Sequence, residues 1–317
     1  MRSSSVIRAL AFVGPWLVAC SESDRPTAGS SSEADSGAVG VTTSTGMADV
    51  EGSSLYYETR GAGDAVVLLH GFTLDTRMWD GQFEALSKAY KVSRFDMRGH
   101  GKSSGAREAD GGPMTFSQSE DVRGLLDALH IDRAHVVGLS MGGYVAYEFA
   151  LDHPDRVRSL TVIDSGWRYD PANTGAFQTR LVGYLGTAGT NGLEAALRAW
   201  MSDALFVPAS KNAQVKADLE EIVMVGHLAQ GPGAFFSNPG SAMSPSPLPE
   251  THLSDLEMPT LVLVGALDDP EFRAHADAVA AAVSGSEKIV IEGSGHMSTM
   301  EKPDDVNRAL EAFLAKQ

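Results

Sequence analysis

One serine stands where a reactive side chain is easily presented, in His135-Val136-Val137-Gly138-Leu139-Ser140-Met141-Gly142-Gly143. The run is β-rich up to Gly138-x-Ser140-x-Gly142, and an amphipathic helical pattern, Tyr144 to His153, follows at once. Strand, sharp turn and helix in that order lift one side chain above the carboxyl edge of a parallel sheet. The flanking glycines are needed because a Cβ at either place would strike the neighbouring strand or helix. The hydroxyl of Ser140 can attack a carbonyl carbon, while the backbone N–H of Met141, at the helix N-terminus, faces the oxygen that becomes negative. The motif alone is short, and in a chain with 33 glycines it also fits a plain turn. Its surroundings decide.

Other chemistries fare worse. Gly101-Lys102-Ser103 looks like the end of a phosphate-binding P-loop, but that loop needs a glycine five residues earlier, where Asp96 stands. The nine histidines show no His-Glu-x-x-His or other ligand spacing, so no metal is expected. The net charge of −16, with Lys and Arg unclustered, argues against nucleic acid as a partner. Solubility accounts for it.

The elements that must position Ser140 alternate regularly. Val50 to Arg60 reads as two short β pieces around Gly52-Ser53-Ser54, a hairpin signal. Ala65 to Leu69 is a continuous apolar run, as expected of a strand buried on both faces, and it ends in His70-Gly71-Phe72. A helix over Met78–Ala89 and a strand over Lys91–Phe95 follow. Next come a helix over Phe116–His130, the strand Arg133–Leu139 that feeds Ser140, and the strand Val157–Ile163. This alternation implies a parallel, doubly wound sheet with its sites at the carboxyl ends of strands.

Between Ser165 and Glu257 the pattern breaks into helical pieces (Gly175–Leu185, Gly192–Leu205, Lys211–Leu228) and a Pro-rich segment. We read residues 165–257 as a helical lid. Trp167, Phe177, Trp200, Phe206 and Met224 are candidates to line a substrate pocket, though a small helical subdomain must also bury some of its own apolar residues. The sheet resumes at Thr260–Gly265 and Lys288–Ile291, with helices over Phe272–Val283 and Pro303–Leu314.

The first twenty residues do not read as part of this fold. Arg2 and Arg8 precede an uncharged, mostly apolar run, Ala9 to Ala19, then Cys20. Eleven helical residues reach only ~16 Å, about half of the ~30 Å hydrocarbon core, so the run is an export signal rather than a span. Leu17-Val18-Ala19-Cys20 resembles the lipobox of bacterial lipoproteins, which implies a signal peptide over residues 1–19 and lipid attachment at Cys20, the only cysteine. An ordinary cleaved signal is the alternative. Residues 20–46 carry no aromatic side chain and are expected to be a disordered tether, spanning roughly 28 Å as a flexible coil. The expected location is the cell envelope, with residues 47–164 and 258–317 as the core of an exported domain.

Taken together, His70-Gly71-Phe72, Asp96-Met97-Arg98-Gly99-His100-Gly101, Gly138-Leu139-Ser140-Met141-Gly142-Gly143, Asp268 three residues after Gly265, and Gly295-His296 before Glu301-x-Pro303 resemble the motifs of the α/β-hydrolases in family order. They span nearly all of the chain after Gly46. The resemblance implies an α/β-hydrolase fold: a mostly parallel eight-stranded sheet with helices on both faces and the lid inserted after strand 6. It makes Ser140 the nucleophile, His296 the base and acid, and Asp268 the carboxylate that orients His296, with Asp164 and Asp269 as rival acids and His70 and His100 as rival histidines. The amides of Phe72 and Met141 would form the oxyanion hole, with Phe72 and Trp167 near the substrate and His70 bracing the oxyanion loop.

Serine at the elbow sets the chain apart from haloalkane dehalogenases and epoxide hydrolases of this fold, which use aspartate there. The motifs look most like the branch with enol-lactonases, carboxylesterases and cofactor-free perhydrolases. That implies a cofactor-free hydrolase acting on a small-molecule ester or lactone. Carbon–carbon bond hydrolysis or perhydrolysis on the same fold, and a ligand-binding sensor with little turnover, are the alternatives. The sequence fixes no oligomeric state.

Overall fold

The computed structural model describes residues 42–104, 116–166, 175–230 and 252–317. The signal segment, Cys20 and Trp167 lie outside the described residues. A hairpin opens the fold, β1 (Thr43–Val50) pairing antiparallel with β2 (Ser53–Arg60). Then come β3 (Ala65–Leu69), α1 (Asp80–Leu86), β4 (Lys91–Phe95), α2 (Gln118–Ala128), β5 (Ala134–Leu139), α3 (Met141–Asp152) and β6 (Val157–Ile163). The insertion contributes α4 (Ala176–Asn191), α5 (Leu193–Trp200), α6 (Ala213–Glu220) and α7 (His227–Gln230), the last two joined by a π-helical stretch, Glu221–Gly226. The chain closes with β7 (Thr260–Gly265), α8 (Pro270–Ala282), β8 (Glu287–Ile291), α9 (Ser298–Glu301) and α10 (Pro303–Leu314).

The eight strands form one sheet in the order β1-β2-β4-β3-β5-β6-β7-β8. β2 meets β4 antiparallel, and every pairing from β4 to β8 is parallel. Strand side chains alternate between two apolar layers. Val66 and Leu68 of β3 face one layer with α1, α10 and the insertion, whereas Val67 and Leu69 face the other with α2, α3 and α8. A strand buried on both faces is mostly apolar, which is why β3 and Leu261 to Val264 of β7 read as unbroken apolar runs. The insertion shares the first layer: Leu197, Trp200, Phe206 and Ile222 pack in the same cluster as the sheet residues Leu139 and Ile163. Each such side chain stabilises the joint by about 1.5–3 kcal/mol.

Two expectations need correction. The hairpin begins at Thr43, inside the stretch 20–46 expected to be tether, because Thr43 to Gly46 pair with Arg60 to Tyr57. As an edge strand largely exposed at this end, it needs little apolar sequence, so composition alone gives it away as linker. Helix α4 runs to Asn191 instead of stopping at Leu185. Gly183, Gly186 and Gly189 occupy open positions on it, where a missing side chain leaves no packing defect.

Candidate active site

The turn between β5 and α3 holds Ser140 at φ 53°, ψ −115°. A non-glycine residue there costs on the order of 1–3 kcal/mol and persists only where its surroundings impose it. Here they do. A Cβ on Gly138 would stand 2.1 Å from the carbonyl oxygen of Gly142, and one on Gly142 would stand 2.1 Å from that of Leu69 in β3. The two glycines therefore let the strand, the helix and the next strand close around the serine. Ser140 N–H donates to Ile163 O at 2.9 Å, and the Ser140 carbonyl accepts from Tyr144 N (3.1 Å) and the Ser165 hydroxyl (3.1 Å).

Ser140 Oγ lies 3.0 Å from His296 Nε2, and His296 Nδ1 lies 3.0 Å from each oxygen of Asp268. A carboxylate can only accept, so Nδ1 carries the proton and Nε2 is left to accept from the serine hydroxyl. Both His296 and Asp268 are buried. Burial opposes the imidazolium, but the Asp268 carboxylate beside it, its hydrogen bond, and then Asp164 and Glu301 nearby outweigh burial and hold His296 above the ordinary imidazole range. The histidine loop is itself cradled. Glu301 accepts from the amides on both sides of His296, Gly295 N at 3.0 Å and Met297 N at 3.1 Å.

The rival residues sit elsewhere. Asp164, at the end of β6, accepts from Gly265 N (2.7 Å) and from the Ser298 hydroxyl (2.5 Å), tying the end of β7 to the start of α9. Burial first, and repulsion from Asp268 second, push its carboxyl well above the usual range. Asp269 caps α8 and pairs with Arg180 of the insertion at 2.8 Å. His70 accepts from Met97 N at 2.8 Å through Nε2, so its Nδ1–H donates to Gly71 O at 2.9 Å. His100 packs against His70 and His227, with ring centroids 4.9 and 5.3 Å apart, and burial keeps all three below the ordinary imidazole range. Among the described residues, no cluster of three or more His, Cys, Asp or Glu is placed to hold a metal.

The Gly71–Phe72 peptide is oriented by its carbonyl. Gly71 O accepts from His70 Nδ1 and from Leu74 N (3.1 Å), and in a trans peptide the N–H points opposite to the C=O. The Phe72 amide is thereby aimed away from those partners. Gly71 itself abuts the elbow, where an added Cβ would stand 3.5 Å from Ser140 Cβ. Met141 is the first residue of α3, and the amides of a first helical turn have no partner within the helix.

Aromatic rings run from Phe72 to His296. Phe72 meets Trp200 (5.6 Å), Trp200 meets Phe177 (6.4 Å), Phe177 meets Phe272 (4.9 Å) and Phe272 meets His296 (4.3 Å). Of the pocket candidates, Trp200 and Phe206 are buried, whereas Phe177 and Met224 are half-buried against the core. Sequence reasoning missed Arg180, which binds Asp203 as well as Asp269, and Thr73, whose partner Trp200 is 127 residues away. No local pattern marks contacts of that separation.

The description of the family model that matches residues 64–303 is alpha/beta hydrolase fold. The chain is 31% identical over 269 residues to the dihydrolipoyllysine-residue acetyltransferase component of the acetoin cleaving system of Cupriavidus necator, covering 84% of this chain and 68% of that one. It is 26% identical to 3-oxoadipate enol-lactonase 1 of Acinetobacter baylyi, over 79% of this chain and 88% of that one. Among solved structures, the enol-lactonase of Burkholderia xenovorans LB400 matches with a TM-score of 0.72 and 26% identity, over 85% of this chain and 100% of that one.

Proposed function

The chain belongs to the α/β-hydrolase fold family, and from that premise we propose that it is a cofactor-free serine hydrolase cleaving a carboxylic ester or lactone. The observation that carries this is the hydrogen-bonded line Ser140 Oγ, His296, Asp268, with 3.0 Å at each step. As the Ser140 oxygen attacks the carbonyl carbon, His296 Nε2 takes its proton. The Asp268 carboxylate stabilises the imidazolium that forms. The amides of Phe72 and Met141 stabilise the oxyanion, each worth ~3–4 kcal/mol in such sites. The tetrahedral species collapses as His296 returns the proton to the leaving alkoxide, leaving an acyl group on Ser140. Water, deprotonated by the same imidazole, then releases the acid. In a lactone the freed hydroxyl remains on the acyl chain, so the second step releases a single hydroxy acid.

The enol-lactonase names among the relatives favour small substrates of this kind. The test is a panel of p-nitrophenyl esters and simple lactones, run beside Ser140→Ala. Turnover of at least one class, abolished by the substitution, is expected. A wild type inert to the whole panel contradicts the substrate class.

As part of the same proposal, the protein is exported and anchored by a lipid on Cys20, a reading supported by Leu17-Val18-Ala19-Cys20 after an apolar run. Cys20→Ser is expected to move it from the membrane to the soluble fraction. Unchanged fractionation contradicts the anchor.

A further inference from the structure

We infer that Trp200 and Thr73 are positioning residues, through which the helical insertion sets the backbone of Phe72 beside Ser140; the inference rests on the serine-hydrolase reading above. Thr73 has φ 63°, a left-handed conformation that a β-branched residue rarely adopts. Its hydroxyl does two things at once. It donates to Phe72 O at 2.6 Å, and it accepts from the Trp200 Nε1–H at 2.8 Å. Both side chains are buried, so neither bond is readily exchanged for one to bulk water.

The consequence lies in the two peptide planes that flank the Phe72 Cα. The Gly71–Phe72 plane is fixed by the two bonds to Gly71 O, and the Phe72–Thr73 plane is fixed by the Thr73 hydroxyl. With both planes held, the Phe72 amide keeps one direction. Trp200 also packs its ring edge-on to Phe72, so the same indole bears on the side chain and the backbone of that residue. Trp200 in turn sits among Tyr184 (5.6 Å), Phe206 (5.3 Å) and Phe177 of the insertion. A shift of those helices therefore reaches the Phe72 backbone through two hydrogen bonds in series, both made by the Thr73 hydroxyl. Neither residue touches the reacting atoms in this account; both act through Phe72.

The test uses the full chain and three substitutions, Thr73→Val, Thr73→Ser and Trp200→Phe. Valine keeps the branched shape and removes the hydroxyl. Serine keeps the hydroxyl, and phenylalanine keeps a ring but removes the donor. The rate of labelling by a fluorophosphonate and the kcat and KM for p-nitrophenyl acetate are measured per titrated active site, so that a variant that folds poorly loses sites rather than rate. Losing an oxyanion donor outright costs 10²–10³ in rate, and misdirecting one should cost on the order of tenfold. Thr73→Val is expected to lose about that factor in labelling and in kcat, with KM within roughly twofold and Thr73→Ser restoring the rate. Trp200→Phe is expected to lose part of it. Equal rates per site for wild type, Thr73→Val and Trp200→Phe overturn the inference while leaving the hydrolase reading intact. A wild type that the phosphonate does not label overturns that reading and this inference together.

Discussion

Both carboxylate oxygens of Asp268 lie 3.0 Å from Nδ1 of His296, while Asp164, a buried acid at the end of β6, gives its oxygens to Gly265 and Ser298. The two acids therefore differ in what a neutral amide does to them. Asp268→Asn can present an N–H to Nδ1 and force the wrong tautomer, for which kcat is expected to fall about 10⁴-fold. Asp164 is pushed well above the ordinary carboxylate range by burial and by Asp268, and Asn keeps an acceptor oxygen for the Gly265 amide. Asp164→Asn is expected to keep kcat within about tenfold, since the buried hydrogen bonds it disturbs are worth ~1 kcal/mol each. Steady-state kinetics of the two variants decide, and the reverse order would assign the acid to Asp164.

His296 must be neutral to accept the serine proton, so activity should rise with pH as it deprotonates. Its pKa is raised in the fold, which places the acid limb of kcat/KM above the ordinary imidazole value of about 6.5. Glu301 adds to that elevation across the loop it cradles. Glu301→Gln is therefore expected to move the limb to lower pH, read from a kcat/KM profile. A limb that stays in place would remove Glu301 from the electrostatics of the site.

Buried histidines make stability depend on pH. His275 is 3% exposed, and burial lowers its pKa to about 3, while burial lowers that of His227 to about 4. Both values lie below the unfolded value of about 6.5. Between these limits the unfolded chain binds more protons than the folded one, so stability is full above about 6.5 and falls with falling pH. For His227 the whole shift amounts to roughly 3 kcal/mol. Urea midpoints should drop from pH 7 to pH 5, and His275→Leu should shrink that drop whatever its effect at pH 7. An unchanged drop would contradict this assignment for His275.

Arg180 stands between two acids, binding Asp203 at 2.8 Å and Asp269 at 2.8 Å. The side chain of Asp203 is fully buried. Arg180→Met leaves that carboxylate without its cation, an uncompensated buried charge that typically costs about 3–5 kcal/mol. Arg180 itself is 30% exposed, so the expected loss is nearer 2–3 kcal/mol after allowing for solvent screening. Denaturant unfolding measures it. A loss below about 0.5 kcal/mol, as for an exposed pair, would show that water replaces the arginine.

Much of this was legible in the sequence because the reaction needs fixed backbone geometry at the elbow. Gly138 and Gly142 had to be glycine for steric reasons that hold in any such turn, and a central strand such as β3, buried on both faces, is continuously apolar. The antiparallel edge was not legible at Thr43, where exposure leaves hydrophobicity nothing to report. Thr73 and Arg180 were hidden for another reason. Their roles come from contacts between segments that only the finished fold brings together, and one threonine or arginine carries no sign of such a partner. Trp167, expected near the substrate, lies outside the described residues.

The most direct test of the central claim is to find the acyl group. Full-length protein is mixed with p-nitrophenyl acetate, quenched in acid during the first turnover and mapped by peptide mass spectrometry, beside Ser140→Ala and His296→Ala. The account predicts an acetyl group on the peptide bearing Ser140 and turnover lost on the order of 10⁶-fold in both variants. Turnover that survives Ser140→Ala, or an acetyl group carried by another residue, would contradict it.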